Sequence, residues 1–355
     1  MTNERIILHC DINNFFASVA CLENPTLVGF PVVVGGSEKS RKGIVLAKNM
    51  EAKLLGIKTG MPLFKARELI PTLITVGSDF GKYSEYSKKI KEIYIRYTPQ
   101  VESFGMDECW LDITGCMKYL QKHKTPLQIA HEIRKTVKSE TGLTISVGLS
   151  FTKVFAKLGS DYKKPDAVTE ITRDNYKTFV WNMPVRELMG VGRKTNKVLE
   201  KLSVYTIGDL AKADTSALKK TLGVMGVRLQ KEALGEGDTY VEEYLAHSPA
   251  KSVGRGTTTP NDLTSTPQVK EYIKKLSDEV GAKLQKNNQL ASGVALKIKD
   301  NQFNSFIRQK ALKAPTAEPA EIAKTASELF TENYNLTTDL PIRALRVTAI
   351  NLLDL

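Results

Sequence analysis

The stretch Asp11–Ala20, "DINNFFASVA", follows directly on the apolar run "IILHC". A run of that length and character predicts a short buried strand. It closes on an acid, and two asparagines and two adjacent phenylalanines follow. Adjacent residues cannot both face one core on regular structure, so one of Phe15 and Phe16 is expected to pack and the other to be free for another task. The buried-looking Asp11 needs a partner for its charge. About 100 residues further on, "QVESFGMDECWLDITG" (Gln100–Gly115) alternates on both sides of a polar centre, the pattern of two short strands meeting at a tight turn, with Asp107 and Glu108 at that turn.

If the two segments are neighbours in one sheet, three carboxylates converge at one edge. Crowded acids repel and are costly unless a cation sits among them. Hard divalent ions take oxygen ligands and commonly combine carboxylates with substrate phosphates. Two such ions support in-line displacement at phosphorus. The alternative is that each acid is a turn residue or a helix cap.

The 355 residues exceed one ordinary core and predict two or more domains. Lys and Arg number 51 against 39 acids, a net charge of +12 with a pI near 9.3. That balance favours a polyanionic partner, nucleic acid first, over a merely basic protein. Cys10, Cys21, Cys109 and Cys116 form no CxxC pair and read as reduced core residues. His9, His123, His131 and His247 lack zinc-site spacing. No apolar run of transmembrane length appears and "MTNERIILHC" lacks a signal-peptide layout, so a cytoplasmic protein without a membrane partner is expected.

Along the chain, "FPVVVGG" reads as a second strand and "GIVLAKNMEAKLLGIKTGMPLFKAREL" as helix broken by Gly56 and Gly60. Tyr86, Ile90, Ile93 and Tyr97 predict an amphipathic helix over Tyr83–Tyr97. "PLQIAHEIRKTVKSETG" predicts a helix ending at Gly142, and "LTISVGLS" a strand. This alternation predicts an α+β sheet with helices on one face. From about Ile171 to Gly237 short helices are punctuated by glycines, and "EGDTYVEEYLAHSPA" reads as a tether. The last unit reads strand, helix ("STPQVKEYIKKLSDEVGAKLQ"), strand, a long connection through "QKALKAPTAEPA", helix ("AEIAKTASELFTENY") and strand ("LRVTAINLLDL").

Two basic features bear on partners. In "LMGVGRKTNKVLEKL" (Leu188–Leu202) a G-x-G turn between short helices exposes backbone amides that can hold a phosphate without reading the base, beside Arg193, Lys194 and Lys197. Arg186–Glu232 carries ten Lys/Arg against five acids; a plain glycine-rich helical bundle is the alternative. Lys251–Lys313 carries twelve Lys/Arg against five acids, and Ala314–Leu355 three against six. Such one-sided charge tracks a phosphate backbone, or is a solvated surface.

"DINNFFASVA", "SFGMDECWLDITG", "SVGLSFTKVFAKLGSDYKKPDAV", "ELMGVGRKTNKVLEKLSVYTIGDLA" and "KSVGRGTTTPNDL" together resemble the Y-family, or translesion, DNA polymerases of the bacterial polymerase IV and polymerase V type. The five motifs stand in the same order and cover essentially the whole chain. The resemblance implies a multidomain α+β right-hand polymerase: palm (1–15 and 80–170), small fingers (16–79), helix-hairpin-helix thumb (171–238), linker (239–250) and a DNA-gripping α/β little finger (251–355). It implies Asp11, Asp107 and Glu108 as carboxylate ligands of two Mg²⁺ ions, with Mn²⁺ a possible substitute, and the Ile12 carbonyl as a further ligand. The amides of Asn14 and Phe15 fall where the family holds the triphosphate. Phe16 falls at the steric gate against a ribose 2′-hydroxyl, and Lys164 falls where a lysine reaches the leaving group. Asp112 matches a recurrent acid and reads as structural.

In the fingers, "AKNMEAK" presents Ala47, Met50 and Lys53 where many members have a hydroxyl residue, a Tyr and an Arg. Triphosphate affinity is therefore expected to rest more heavily on Lys53 and Lys164. Gly190, Gly192, Arg193, Lys194, Lys251 and Arg255 are the expected DNA contacts. Partners implied are primer-template DNA, dNTPs and the sliding clamp, the enzyme being a monomer. The expected reaction is low-fidelity translesion synthesis. The rivals are a non-catalytic DNA-binding relative and a palm-fold nucleotide cyclase.

Overall fold

The computed structural model describes residues 4–36, 43–120, 124–246 and 250–355; His123 and His247 lie outside them. The chain opens with β1 (Ile7–Ile12), buried along its whole length. It turns through Asn14, in the left-handed region at φ 50°, into α1 (Phe15–Glu23). β2 (Val32–Gly35), β3 (Val45–Lys48), α2 (Met50–Leu54), α3 (Leu63–Leu69) and β4 (Ile74–Val76) follow. These strands form a three-stranded sheet in the order β3-β2-β4, with Val33, Val45, Ala52, Leu63 and Ala66 in its core.

Then come α4 (Phe80–Tyr94), the hairpin of β5 (Val101–Ser103) and β6 (Glu108–Asp112), a short α5 (Met117–Leu120), α6 (Pro126–Thr141), β7 (Ile145–Ser150), α7 (Lys153–Tyr162) and β8 (Val168–Glu170). They make a five-stranded sheet in the order β5-β6-β1-β7-β8. β1 is central and antiparallel to both neighbours, so both of its faces are covered. Leu8, Cys10 and Ile12 pack with Ile90 and Ile93 of α4 and Ile129 and Ile133 of α6. Ile7 and, across the strand pair, Trp110 pack on Ala156 of α7. Helices therefore cover both faces of the sheet, correcting the expectation of one.

Two other expectations change. Val45–Lys48 is a strand within the span read as helix, because Val33 and Val34 of β2 offer it a ladder. The buried stripe of α4 runs through Tyr83, Ser87, Ile90, Ile93 and Tyr94, one turn earlier than the sequence predicts. The helix ending at Gly142 and the strand of "LTISVGLS" form as predicted; Gly142 takes φ 72° at the C-cap.

Five short helices follow: α8 (Tyr176–Phe179), α9 (Arg193–Lys201), α10 (Ile207–Lys212), α11 (Thr215–Leu222) and α12 (Val224–Ala233). Their core joins α7 through Val154, Phe155 and Leu158. Of the segment read as a tether, the described residues up to Ala246 form no helix or strand but are docked. Asp238 accepts from the Lys153 amide at 3.1 Å, the Tyr244 amide donates to Pro99 at 2.9 Å, and Val241 is buried.

The last region holds β9 (Ser252–Leu263), α13 (Thr266–Lys286), β10 (Gln289–Asp300), β11 (Ser305–Thr316), α14 (Pro319–Asn333) and β12 (Ile342–Asp354). The sheet order is β11-β10-β12-β9. β11 replaces most of the long connection read from the sequence. It is an edge strand exposed along most of its length, so it lacks the apolar alternation by which strands are recognised. The chain divides into two compact units, one of 4–36 and 44–246, the other built on 250–355.

Candidate active site

The register of β1 and β6 sets Asp11 opposite Glu108, and the Ile12 amide donates to the Asp107 carbonyl at 3.0 Å. Asp11, Asp107 and Glu108 therefore gather at one end of adjacent strands, as the sequence predicts. On the same face His9 precedes Asp11 by two residues, and α7 lies across both. The approach is close because Gly148 of β7 and Gly159 of α7 face each other: a Cβ at 148 would lie 1.8 Å from the Ala156 carbonyl oxygen.

α7 and the turn after it bring cations to the acids. Lys164 Nζ donates to Asp11 Oδ2 at 2.7 Å and lies 2.8 Å from Asp161 Oδ1. Lys157 Nζ donates to Glu108 Oε2 at 2.6 Å. His9 Nε2 lies 3.3 Å from that same oxygen, and His9 Nδ1 shares a hydrogen bond of 2.8 Å with Ser160 Oγ. Lys157, His9 and Ser160 were not singled out by the sequence. Lys157 and Ser160 stand in a quoted motif at helical spacing, but only the packing of α7 shows which acid each faces.

Burial raises Asp11 to about 6 despite the opposing charge and hydrogen bond of Lys164. Burial also raises Asp107, which has no ion-pair partner among the described residues. Glu108 behaves oppositely: burial would raise it, but His9 and Lys157 hold it down at about 2. Burial lowers Lys164, yet Asp11 and Asp161 more than offset this and leave it raised.

Beside the acids lies a cleft of about 320 Å³ whose lining includes Asp11, Asp107 and Lys164, Asn14, Phe15 and Phe16 at the start of α1, and Ala47, Lys48 and Thr59. The first turn of a helix leaves amides without intrahelical partners, a site for anions. Phe15 is 3% exposed in the core. Phe16, only partly buried, stacks on Tyr83 with centroids 4.0 Å apart and planes 11° apart, and Phe80 meets it edge-on. Phe15 is thus the ring buried in the core, and Phe16 the partly buried one at the cleft. Neither Met50 nor Lys53 lines the cleft. Lys53 is exposed on α2, while Lys48, at the end of β3, points into it. That difference was hidden because Ala47–Lys48 was read as helix.

Elsewhere in this unit, Gly190 takes φ 94° and Gly192 caps α9, whose first residues are Arg193 and Lys194. In the other unit Lys251 is exposed just before β9, and Arg255 Nε lies 3.7 Å from Glu279. Asp112 accepts from Arg5 at 2.7 Å and from the Thr114 amide at 2.8 Å, a structural role.

Among the described residues, no group of three or more His, Cys, Asp or Glu side chains is arranged to hold a metal. Asp11 and Glu108 are engaged by the chain's own lysines. The donor chemistry nonetheless suits a hard divalent ion: the side-chain donors gathered here are carboxylate oxygens, and Asp11 and Asp107 are raised by burial, a cost that added positive charge relieves.

The fold defines a class. It matches a solved Y-family DNA polymerase chimera with a TM-score of 0.86 over 99% of this chain and 100% of that one, at 24% identity. This is the α+β right-hand architecture, and the C-terminal four-stranded sheet corresponds to its little finger. Residues 10–161 match the model of the impB/mucB/samB family, and 250–354 match its C-terminal domain. DNA polymerase IV of Acetivibrio thermocellus is 43% identical over 97% of this chain and 86% of its own length. DNA polymerase IV 1 of Bacillus subtilis is 34% identical over 99% and 83%. The chain belongs to the impB/mucB/samB family and is a translesion, DNA-directed DNA polymerase of the Y family. Neither a nucleotide cyclase nor a non-catalytic relative is favoured. Enzymes of this class are nucleotidyltransferases that need a divalent metal. No described helix is long and apolar enough to cross a membrane.

Proposed function

We propose that this polymerase extends the 3′-hydroxyl of a primer on damaged template with low fidelity, using the cleft beside Asp11 as its dNTP site. One observation carries the reading: strand-end acids, two lysines, a helix N-terminus and a half-buried ring line a single cleft. Asp11, Asp107 and Glu108, with the Ile12 carbonyl, would hold two Mg²⁺ ions, or Mn²⁺ in their place. When bound, such ions activate the attacking hydroxyl and neutralise charge on the leaving pyrophosphate.

The rest is the work of the chain's own groups. The amides of Asn14 and Phe15 at the start of α1 bind the phosphates, and Phe16, backed by Tyr83, excludes a 2′-hydroxyl from beneath the sugar. Lys164 exchanges Asp11 for the leaving group, to which its ammonium donates. Lys157 and His9 keep Glu108 ionised and oriented. Lys53, outside the cleft, acts at most from a distance.

The proposed division is palm 1–15 and 80–170, fingers 16–79, thumb 171–238, linker 239–250 and little finger 251–355. Gly190, Gly192, Arg193 and Lys194 of the thumb, and Lys251 and Arg255 of the little finger, hold primer-template phosphates. We assign a monomer acting in the cytoplasm with the sliding clamp.

Primer extension tests the site. Asp107→Asn is expected to slow extension roughly a thousandfold, about 4 kcal/mol of barrier, while binding primer-template as the parent does. Extension that survives at parental rate removes Asp107 from the chemistry.

A further inference from the structure

Among the described residues, the fingers contribute one charged side chain to the cleft, and it is not the lysine that the sequence favours. Lys48 closes β3, lines the cleft and is only partly exposed. Its Nζ donates to Thr59 Oγ1 at 3.0 Å, a neutral hydroxyl, and no carboxylate among the described residues pairs with it. Lys164, the other lysine of the cleft among the described residues, is already shared by Asp11 and Asp161. Among the described residues, Lys48 is therefore the lining lysine that no carboxylate engages. Partial burial, and to a smaller extent the like charge of Lys53, lower its pKa, as for an ammonium partly withdrawn from water and paired with no carboxylate among the described residues.

A cation held in this way favours an anion in the cleft. The dNTP site, on the reading above, admits one polyanion, the triphosphate. We propose that Lys48 is a binding residue for the triphosphate of the incoming nucleotide, and that Thr59 holds its ammonium in the empty cleft and releases it when the nucleotide enters. The proposal rests on the cleft being the dNTP site. It moves the fingers' phosphate contact from Lys53 to Lys48, five residues earlier and on a strand instead of a helix.

The test is equilibrium binding of non-hydrolysable α,β-imido dNTPs to the full enzyme on primer-template, one analogue for each of the four correct base pairs. Lys48→Met, which keeps the stem and removes the charge, is expected to weaken binding by roughly tenfold to a hundredfold, the range of a lost charged hydrogen bond, by the same factor for all four. Lys48→Arg should stay within about threefold of the parent, since the charge is retained. Thr59→Val should bind no more weakly than the parent. If Lys48 is merely a brace, Thr59→Val will weaken binding as much as Lys48→Met, and the proposal fails.

Parental binding by Lys48→Met overturns the proposal, as does a loss that depends on the base pair, which would place the ammonium on the base. Lys164→Ala separates this inference from the reading beneath it. If Lys164→Ala weakens binding and Lys48→Met does not, only the role of Lys48 falls. If neither does, the cleft is not the dNTP site.

Discussion

Asp166 fixes the segment that carries Lys164. It sits in the left-handed region at φ 55°, and its carboxylate receives Arg134 and Lys138 from α6, the latter at 2.9 Å, while its carbonyl accepts from Arg134 at 3.0 Å. Burial would raise its pKa, but the two cations prevail and lower it. A lowered carboxyl binds its proton less readily folded than unfolded, so its stabilisation is complete above the ordinary value of 3.8 and is lost as pH falls through the folded value. Asp166→Asn tolerates the same backbone. It is expected to cost roughly 1 kcal/mol at about pH 7 and pH 5, discounted because water reaches the Lys138 side, and less at about pH 3. Urea midpoints at the three pH values check this; an equal deficit throughout would mean that charge is not the cause. At this scale much of the site was legible. Asp11, Asp107 and Glu108 meet because strand registry is encoded in the alternation around them, and of two adjacent rings only one could be fully buried, leaving Phe16 at the core's edge. Lys157 and Lys48 were not legible as site residues, because a lysine's role depends on which acid or cleft the fold sets before it.

Elements carry the next constraint. α7 contributes Lys157 and Ser160 and leads into Lys164, so its distance from β1 and β7 sets every ion pair at the acids. That distance depends on Gly148, where even a methyl group would meet the Ala156 carbonyl at 1.8 Å and the Ser160 amide at 2.5 Å, both backbone atoms. Gly148→Ala must displace the helix. The expected cost is about 3 kcal/mol or more, read as a lower urea midpoint at unchanged m-value, with primer extension falling further than stability because the lysines move with α7. A variant as stable and active as the parent would show that the sheet, not the helix, yields. The periodic helices were legible as elements, but the two-sided covering of the sheet was not. "IILHCDI" reads as a continuous apolar run, the mark of a strand buried on both faces, and His9 within it disguised the second. β3 and β11 were missed for a related reason: short or exposed strands owe their form to a neighbour's ladder more than to their own pattern.

Across the whole molecule, charge is distributed by fold more than by sequence order. Counting along the chain places the basic bias in 251–313 and leaves 314–355 acidic. The four-stranded sheet regroups them: Arg346, from the acidic stretch, pairs in register with Lys297, and with Lys299 they line a cleft of about 240 Å³. Gly254 and Gly256 of β9 leave room for the Arg346 side chain, since a Cβ at 256 would lie 2.9 Å from its own. Val294, Leu296, Ile298 and Val347 alternate with these residues and face the core shared with α13 and α14, so the cations stand on the opposite, open face. Phosphate contacts release counterions, and each is worth about 0.9 in the slope of log affinity against log salt. If this face holds duplex phosphates, Lys297→Ala/Lys299→Ala/Arg346→Ala should weaken primer-template binding for every sequence alike and reduce the slope by roughly 2 to 3. Binding isotherms across a salt series, with two unrelated duplexes, measure both. A slope that stays at the parental value, even with weaker binding, would assign the duplex to another surface and leave these three cations to the stability of the sheet.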